Sequence, residues 1–247
     1  MQQERVGSLS KRILVIGGSS GMGFAFAKSM LAAGHRVAIA GRNQARLDAA
    51  RGGLEAHEHL QTIVADATCE EQVAAMFKAL GSLDHIVMTA ADVRGVYTLP
   101  QDIDVDSTRA ALASKVLAPL LVAKHGAPSL TEGGSITLTS GIAAYRPGPK
   151  GCVVAAINGA LESMVYAMSL ALAPIRVNAV SPGWVDTPIW DSVAGPDKPA
   201  LLEAMADKLP IGRIGRAEEV ADALAAVMSN GFINGTVLHV DGGQRLV

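Results

Sequence analysis

The sequence predicts one α/β domain, residues 1–247, built on a doubly wound parallel sheet of about seven strands with helices on both faces. Three observations carry that expectation. Short apolar runs alternate strictly with helical patterns along the whole chain, as a parallel sheet with crossover helices requires. The first apolar run stops at a glycine-rich turn that opens a helix. The length suits one domain with a substantial core.

In order, an apolar strand at 13–16 ends in Gly17-Gly18-Ser19-Ser20-Gly21-Met22-Gly23, and a helical pattern follows at 24–33. Strand 36–40, helix 43–51, strand 61–65, helix 70–80 and strand 83–89 come next, then a long helix from about 103 to 124. The second half reads as strand 135–139, helix 153–172, strand 175–180, helix 218–228 and strand 236–240. Right-handed crossovers place helices on both faces and any ligand at the carboxyl ends of the strands. The one long irregular stretch, from Thr187 to about Lys198, holds Pro188, Trp190, Gly195 and Pro196. Residues 187–208 are expected to form a substrate lid, because such loops in compact domains are usually functional. Residues 1–11 are a polar extension, and no repeat, low-complexity segment or linker divides the chain.

Composition excludes several classes. Hydrophobic residues make up 49% of the chain and aromatics 4%, so the core is mainly aliphatic. The net charge of −2 comes from interspersed charges, which argues against a nucleic-acid or membrane-surface partner. Cys69 and Cys152 stand at unrelated positions, and reduced thiols are the expectation rather than a disulfide or a metal site. The six histidines form no ligand spacing, and no metal is expected. The start of the chain is expected to lack an apolar signal core, and no apolar run is expected to reach membrane-spanning length. A cytoplasmic location is expected.

The glycine-rich turn is where chemistry enters. Gly17 allows a sharp turn, Gly21 lets main-chain N–H groups approach a ligand, and Gly23 lets helix and strand pack closely. The free N–H groups and positive dipole end of the helix favour a phosphate above the loop. The spacing, Gly-x3-Gly-x-Gly, differs from the commoner Gly-x-Gly-x-x-Gly dinucleotide fingerprint.

This loop resembles the Thr-Gly-x3-Gly-x-Gly loop of short-chain dehydrogenases/reductases, with Ile16 in place of the threonine. The resemblance covers nearly the whole chain. Its other strong pieces are Arg176-Val177-Asn178-Ala179-Val180-Ser181-Pro182-Gly183 and Val240-Asp241-Gly242-Gly243. It implies strand order 3-2-1-4-5-6-7 and a nicotinamide dinucleotide held by Gly17, Ser19, Ser20, Gly21, Met22 and Gly23. Gly41 stands where NAD-preferring relatives carry an acid that accepts from the ribose 2′-OH, and Arg42-Asn43 follow. A guanidinium suits a 2′-phosphate, so NADP(H) is favoured over NAD(H). A surface arginine at a helix start is the plainer alternative. Asp66, with Ala67 beside it, matches the residue that meets the adenine, although a turn-capping aspartate explains it as well. Met88-Thr89-Ala90-Ala91 replaces the usual Asn-Asn-Ala-Gly, leaving Ala90 as the match. Pro182, Gly183, Val185 and Thr187 match the segment that holds the nicotinamide carboxamide.

The resemblance also shows what is missing. The family's reaction normally draws a proton from a tyrosine whose lysine lies one helical turn on, beside a serine and an asparagine. Ser140 fits the serine position. An ungapped match puts Val154 at the tyrosine position and Asn158 at the lysine position, and Lys115 replaces the asparagine. Lysine and asparagine have thus exchanged helices. One reading has Lys115 deliver the ammonium to the same space and pair with Asn158. The other is drift in a dead site, with Lys115 in solvent. Since a general acid is worth about 10²–10⁴ in rate, another donor must substitute or turnover is slow. Ser140 is the first candidate and Lys115 the second, if burial lowers its pKa. Tyr145 precedes Arg146-Pro147-Gly148-Pro149, so no helix presents it with Lys150, and it reads as a pocket or structural residue. Tyr97 and Asp92 are weaker candidates.

The expected function is an NADP(H)-dependent oxidoreductase for a small carbonyl or alcohol substrate, with catalytic residues Ser140, Lys115 and Asn158. The rivals are a non-redox enzyme on the same scaffold (isomerase, dehydratase or cyclase) and a catalytically silent nucleotide-binding protein. The helix carrying Val154 is apolar on more than one side, and relatives pack this helix against a mate, so a homodimer or homotetramer is expected.

Overall fold

The computed structural model describes residues 10–54 and 57–247, so most of the extension read at 1–11 lies outside the described residues. Ser10 and Lys11 are tied down, Ser10 Oγ donating to the Gly34 carbonyl at 2.9 Å and the Lys11 amide to His35 Nδ1 at 3.3 Å. Seven parallel strands form one sheet in the order β3-β2-β1-β4-β5-β6-β7. They are β1 (Arg12–Ile16), β2 (Arg36–Gly41), β3 (Leu60–Val64), β4 (Leu83–Met88), β5 (Leu130–Thr139), β6 (Arg176–Pro182) and β7 (Val237–Val240). The inner strands are covered on both faces: all seven residues of β6 are buried, its Arg176, Asn178 and Ser181 included, as in a central parallel strand.

The helices are α1 (Gly21–Ala32), α2 (Gln44–Gly53), α3 (Glu70–Leu80), α4 (Val105–Leu112), α5 (Ala118–Gly126), α6 (Cys152–Ala171), α7 (Ile189–Ala194), α8 (Lys198–Ala206) and α9 (Ala217–Ser229). One face of the sheet packs Leu14, Ile86, Ile136 and Val177 against Phe77, Val122 and Leu161. The other packs Val15, Ile39, Val87 and Val180 against Phe26, Leu47 and Leu224. Arg176 and Asn178 pin the last two strands to the turn after α9. The Arg176 guanidinium donates to the carbonyls of Val227, Met228 and Ile233, and Asn178 Nδ2 donates to the Ile233 carbonyl.

Three expectations change. The long helix does not run unbroken from 103. It begins after the cap Asp104, whose carboxylate accepts from the Ser107 amide at 2.7 Å, and a π turn at Ala113–Leu117 separates α4 from α5. The stretch after Thr187 is not irregular: α7, a 3-10 turn at Gly195–Asp197 and α8 occupy it. Its prolines sit at helix starts, where a missing N–H costs nothing. Finally, α6 does have the length and apolar composition of a membrane span. It nevertheless buries Asn158 and Glu162 along with Ile157, Leu161 and Val165, so it is read as a core helix whose apolar breadth faces the sheet and neighbouring helices.

Candidate active site

The carboxyl ends of β1, β4, β5 and β6 converge on one cleft, and the glycine loop forms its floor. Gly17 has φ +93°, and a Cβ there would lie 2.6 Å from the Ala90 amide nitrogen. A Cβ on Gly23 would collide with the Gly17 carbonyl oxygen. Gly21 has φ +54°, and a Cβ there would meet Thr187 Cβ at 3.3 Å, so Thr187 stands directly over the loop. Ser20, before α1, forms no side-chain cap, leaving the first-turn N–H groups of Gly21 and Met22 for an incoming anion. This cradle, held free of side chains and roofed by the Cβ and methyl of buried Thr187, fits a dinucleotide pyrophosphate.

Several of the other expected cofactor residues have partners of their own in the fold. Arg42 leaves the end of β2 and reaches across to Asp92, Nη2 to Oδ2, at 3.2 Å. Asp92 is buried and also takes Arg94 at 2.9 and 2.6 Å. The Arg94 hydrogen bonds, with help from Arg42, depress its carboxyl to about 2. Asn43 Oδ1 caps α2, accepting from the Arg46 amide at 3.0 Å. Asp66 Oδ1 accepts from the Thr68 amide and hydroxyl at 2.9 and 2.7 Å, which is the turn-capping alternative, and Ala67 beside it is buried. The Ala90 amide is spent on the Ile16 carbonyl at 3.1 Å, so only its small size faces the cleft. Pro182 closes β6; Gly183 packs on Asp241, where a Cβ would lie 2.7 Å from its Cα. Val185 is buried and bridged to Gly215.

Beyond the nicotinamide end lies a buried polar chamber. Ser140, at the end of β5, is 4% exposed and donates its hydroxyl to Glu162 Oε1 at 2.6 Å. Lys115 sits in the π turn and is buried, and such turns recur at functional sites. Its Nζ donates to the Thr139 carbonyl at 2.6 Å and the Ser140 carbonyl at 3.2 Å. Burial lowers the Lys115 pKa to about 8, and the Glu162 charge opposes that fall. The solvent-facing alternative for Lys115 is therefore wrong. The expected pairing with Asn158 is also corrected: Lys115 chooses two main-chain carbonyls, and Asn158 Oδ1 has no partner among the described residues. Asn158 does face the chamber, because a Cβ on Gly141 would fall 2.9 Å from its Nδ2. Val154, one turn earlier, is buried among apolar neighbours that include Val93, Val96 and Ile157.

Glu162 is the residue that sequence reasoning missed. It follows Asn158 by one helical turn, so it shares the face of Val154 and Asn158. Its carboxylate is 6% exposed. Besides Ser140 it accepts from the Tyr145 hydroxyl at 2.5 Å, so Tyr145 joins the chamber from its loop after all. Burial and the Glu162 carboxylate raise the Tyr145 phenol well above its ordinary value. His239 of β7 packs edge-on against the Tyr145 ring with centroids 4.6 Å apart. A charged residue inside an otherwise apolar helical pattern was the available signal.

The rim of the expected lid is aromatic. Trp184 and Trp190 stack at 4.1 Å with planes 4° apart, Tyr97 lies 6.2 Å from Trp190, and Trp190 Nε1 donates to the Val185 carbonyl at 2.9 Å. A separate cavity of about 470 Å³ opens at the amino end of the sheet between Arg12, Arg36, His59 and Leu83. It is far from these groups and belongs to another part of the surface.

A switch-point cleft with a phosphate cradle and an adjoining chamber of buried proton-exchanging groups defines a nicotinamide-dinucleotide enzyme. Residues 17–245 match the family model described as enoyl-(acyl carrier protein) reductase. The short-chain dehydrogenase/reductase ucsE of Acremonium sp. is 33% identical over 96% of both chains. A small-chain dehydrogenase solved in complex with NADPH superposes with a TM-score of 0.81 at 31% identity, covering 96% of this chain and 100% of that one. The MalC reductase/Diels-Alderase of Malbranchea aurantiaca gives a TM-score of 0.89 at 32% identity, covering 96% and 97%. The chain belongs to the short-chain dehydrogenase/reductase family, and it is an oxidoreductase of the nicotinamide-dependent kind.

Proposed function

We propose that this protein is an NADP(H)-dependent reductase of small carbonyl compounds in which Ser140, Lys115 and Asn158 replace the usual tyrosine-centred set. The observation that carries the reading is the fully buried Lys115 ammonium, fastened to the carbonyls of Thr139 and Ser140 behind the serine hydroxyl. The residues present fit the cofactor: the glycine cradle and first turn of α1 take the pyrophosphate, and Thr187 with the 182–185 segment takes the carboxamide. Arg42, half-exposed on a weak ion pair with Asp92, takes the 2′-phosphate. When bound, a reduced nicotinamide supplies hydride to the substrate carbon. Ser140 Oγ holds the substrate oxygen and gives up its proton there. Lys115 keeps a positive charge near the developing oxyanion, where low polarity magnifies its effect, and Asn158 Nδ2 bounds the chamber. Trp184 and Trp190 exclude water from the rim.

The test separates binding from turnover. Wild-type protein should bind NADPH more tightly than NADH by calorimetry. Lys115→Ala should leave that affinity within about threefold while NADPH consumption falls by about 10²–10⁴. Unchanged turnover in the variant rejects the assignment.

A cyclising activity without net redox change is the second reading. Val154 supplies no proton where the family keeps its phenol, and a structural neighbour is named both reductase and Diels-Alderase. Product formed with no absorbance change at the nicotinamide band would select it.

We also infer a homo-oligomer. Leu112, Leu117 and Leu120 around α4–α5, and Tyr166 and Leu170 on α6, are exposed apolar residues on the described chain. Sedimentation should return a multiple of 25.4 kDa; a single monomeric species rejects the inference.

A further inference from the structure

We propose that Glu162 is the proton-carrying residue of this site, acting through Ser140 and refilled from solvent through Tyr145. The inference rests on the reductase reading above and supplies the proton source that reading lacks.

A carboxylate that is only 6% exposed is costly to bury without partners. Here both oxygens are engaged by hydroxyl groups, Ser140 on Oε1 at 2.6 Å and Tyr145 on Oε2 at 2.5 Å. Hydroxyl–carboxylate bonds of this length are the strong, charge-assisted kind, across which a proton moves readily. The three groups also form a line with a direction. Ser140 is 4% exposed at the inner end, while Tyr145 is 42% exposed at the outer end. Glu162 thus joins the bottom of the cleft to water. Around this line, Lys115 faces it from the π turn, Asn158 from α6 and His239 from β7 against the Tyr145 ring.

The steps balance. In the protonated, neutral state Glu162 carries a proton on Oε1 and donates a hydrogen bond from it to Ser140 Oγ, whose own proton points at the substrate oxygen. Once the substrate carbon has been reduced at the expense of a reduced nicotinamide nucleotide, its oxygen takes the Ser140 proton. Ser140 Oγ takes the Glu162 proton as the Oε1–H bond breaks. Glu162 is left as the doubly accepting carboxylate seen in the structure, opposite the Lys115 ammonium. The Tyr145 hydroxyl then passes a proton to Oε2 while taking one from water, so no free phenolate is needed. The high pKa of that phenol accords with such concerted exchange. One proton has moved from water to product, and every relay group is restored once the carboxyl proton returns to Oε1.

Glu162 acts through another residue, so a purely bracing role is the rival, and the variants are chosen to expose it. Glu162→Gln can bond both hydroxyls but cannot carry a proton. Wild type would first be assayed with NADPH against small aldehydes, ketones and α-dicarbonyls. In Glu162→Gln, kcat should fall by about 10²-fold or more, with NADPH affinity and melting temperature nearly unchanged. Tyr145→Phe should show a smaller loss, about tenfold, and formate should partly restore Glu162→Ala. A second readout needs no turnover: infrared difference spectra of wild type against Glu162→Gln should show a carboxyl C=O band that shifts in D2O. Glu162→Gln turning over within about threefold of wild type, or no such band at any pH, overturns the proposal while leaving the reductase reading intact. Wild type consuming no NADPH with any carbonyl overturns both.

Discussion

The two halves of the cleft differ in how they are built. The glycine loop is shaped by main chain: what matters at Gly17, Gly21 and Gly23 is the lack of a Cβ. The chamber around Ser140 is shaped by side chains from separate elements, with Lys115 from the π turn, Asn158 and Glu162 from α6 and Tyr145 from a loop. A main-chain cradle tolerates almost no substitution and can serve many chemistries. A side-chain chamber can be rebuilt, because a charge can arrive from another helix so long as it reaches the same space. That contrast is what would let a cofactor cradle be kept while the chamber beside it is rebuilt.

The comparison can be broken from the cradle side first, where the largest effect is expected. Gly23→Val places side-chain carbon against the Gly17 carbonyl and Thr89 Oγ1. It should abolish NADPH binding or leave no folded protein, as seen by calorimetry and circular dichroism, since overpacking against backbone costs about 1–3 kcal/mol or more. A folded variant that binds with native affinity would show that the loop is not the cradle.

The chamber side is sharpened by pH. Burial holds the Lys115 pKa at about 8, with Glu162 as the opposing charge. The ammonium is therefore present below that pH and lost above it, so kcat should fall about tenfold per pH unit once pH exceeds 8. Lys115→Met should erase this limb, and a flat profile in wild type would remove the ammonium from the mechanism. Stability moves in the opposite sense. Unfolded lysine keeps its proton to about 10.4, so between the two values the unfolded state binds more protons and stability rises with pH.

The smallest effect belongs to the rim. Arg42→Ala should weaken NADPH binding by about 5- to 30-fold, the range of one exposed charge-assisted contact, and leave NADH affinity nearly unchanged. Equal losses for both nucleotides would count against a 2′-phosphate site at Arg42. The pair with Asp92 is half-exposed on the arginine side and contributes little by itself.

The chain alone determined the sheet and the loop. Alternating periods of two and 3.6 residues are written locally, and so is the need for glycine where a strand turns into a helix beneath a phosphate. The strand order matched expectation from the third strand through the seventh. Resemblance then located Ser140, Lys115 and Asn158 as neighbours. The tertiary structure decided which way they point. Lys115 is buried within a π turn and bonds two main-chain carbonyls, which no hydrophobic pattern announces. Asn158 stands near it without pairing, and Asp66 serves its own turn. Glu162 was passed over because its meaning depends on Ser140 and Tyr145, 22 and 17 residues away. Whether a buried carboxylate is a liability or a proton carrier is set by what the fold places opposite its two oxygens, and that is a property of packing rather than of sequence spacing.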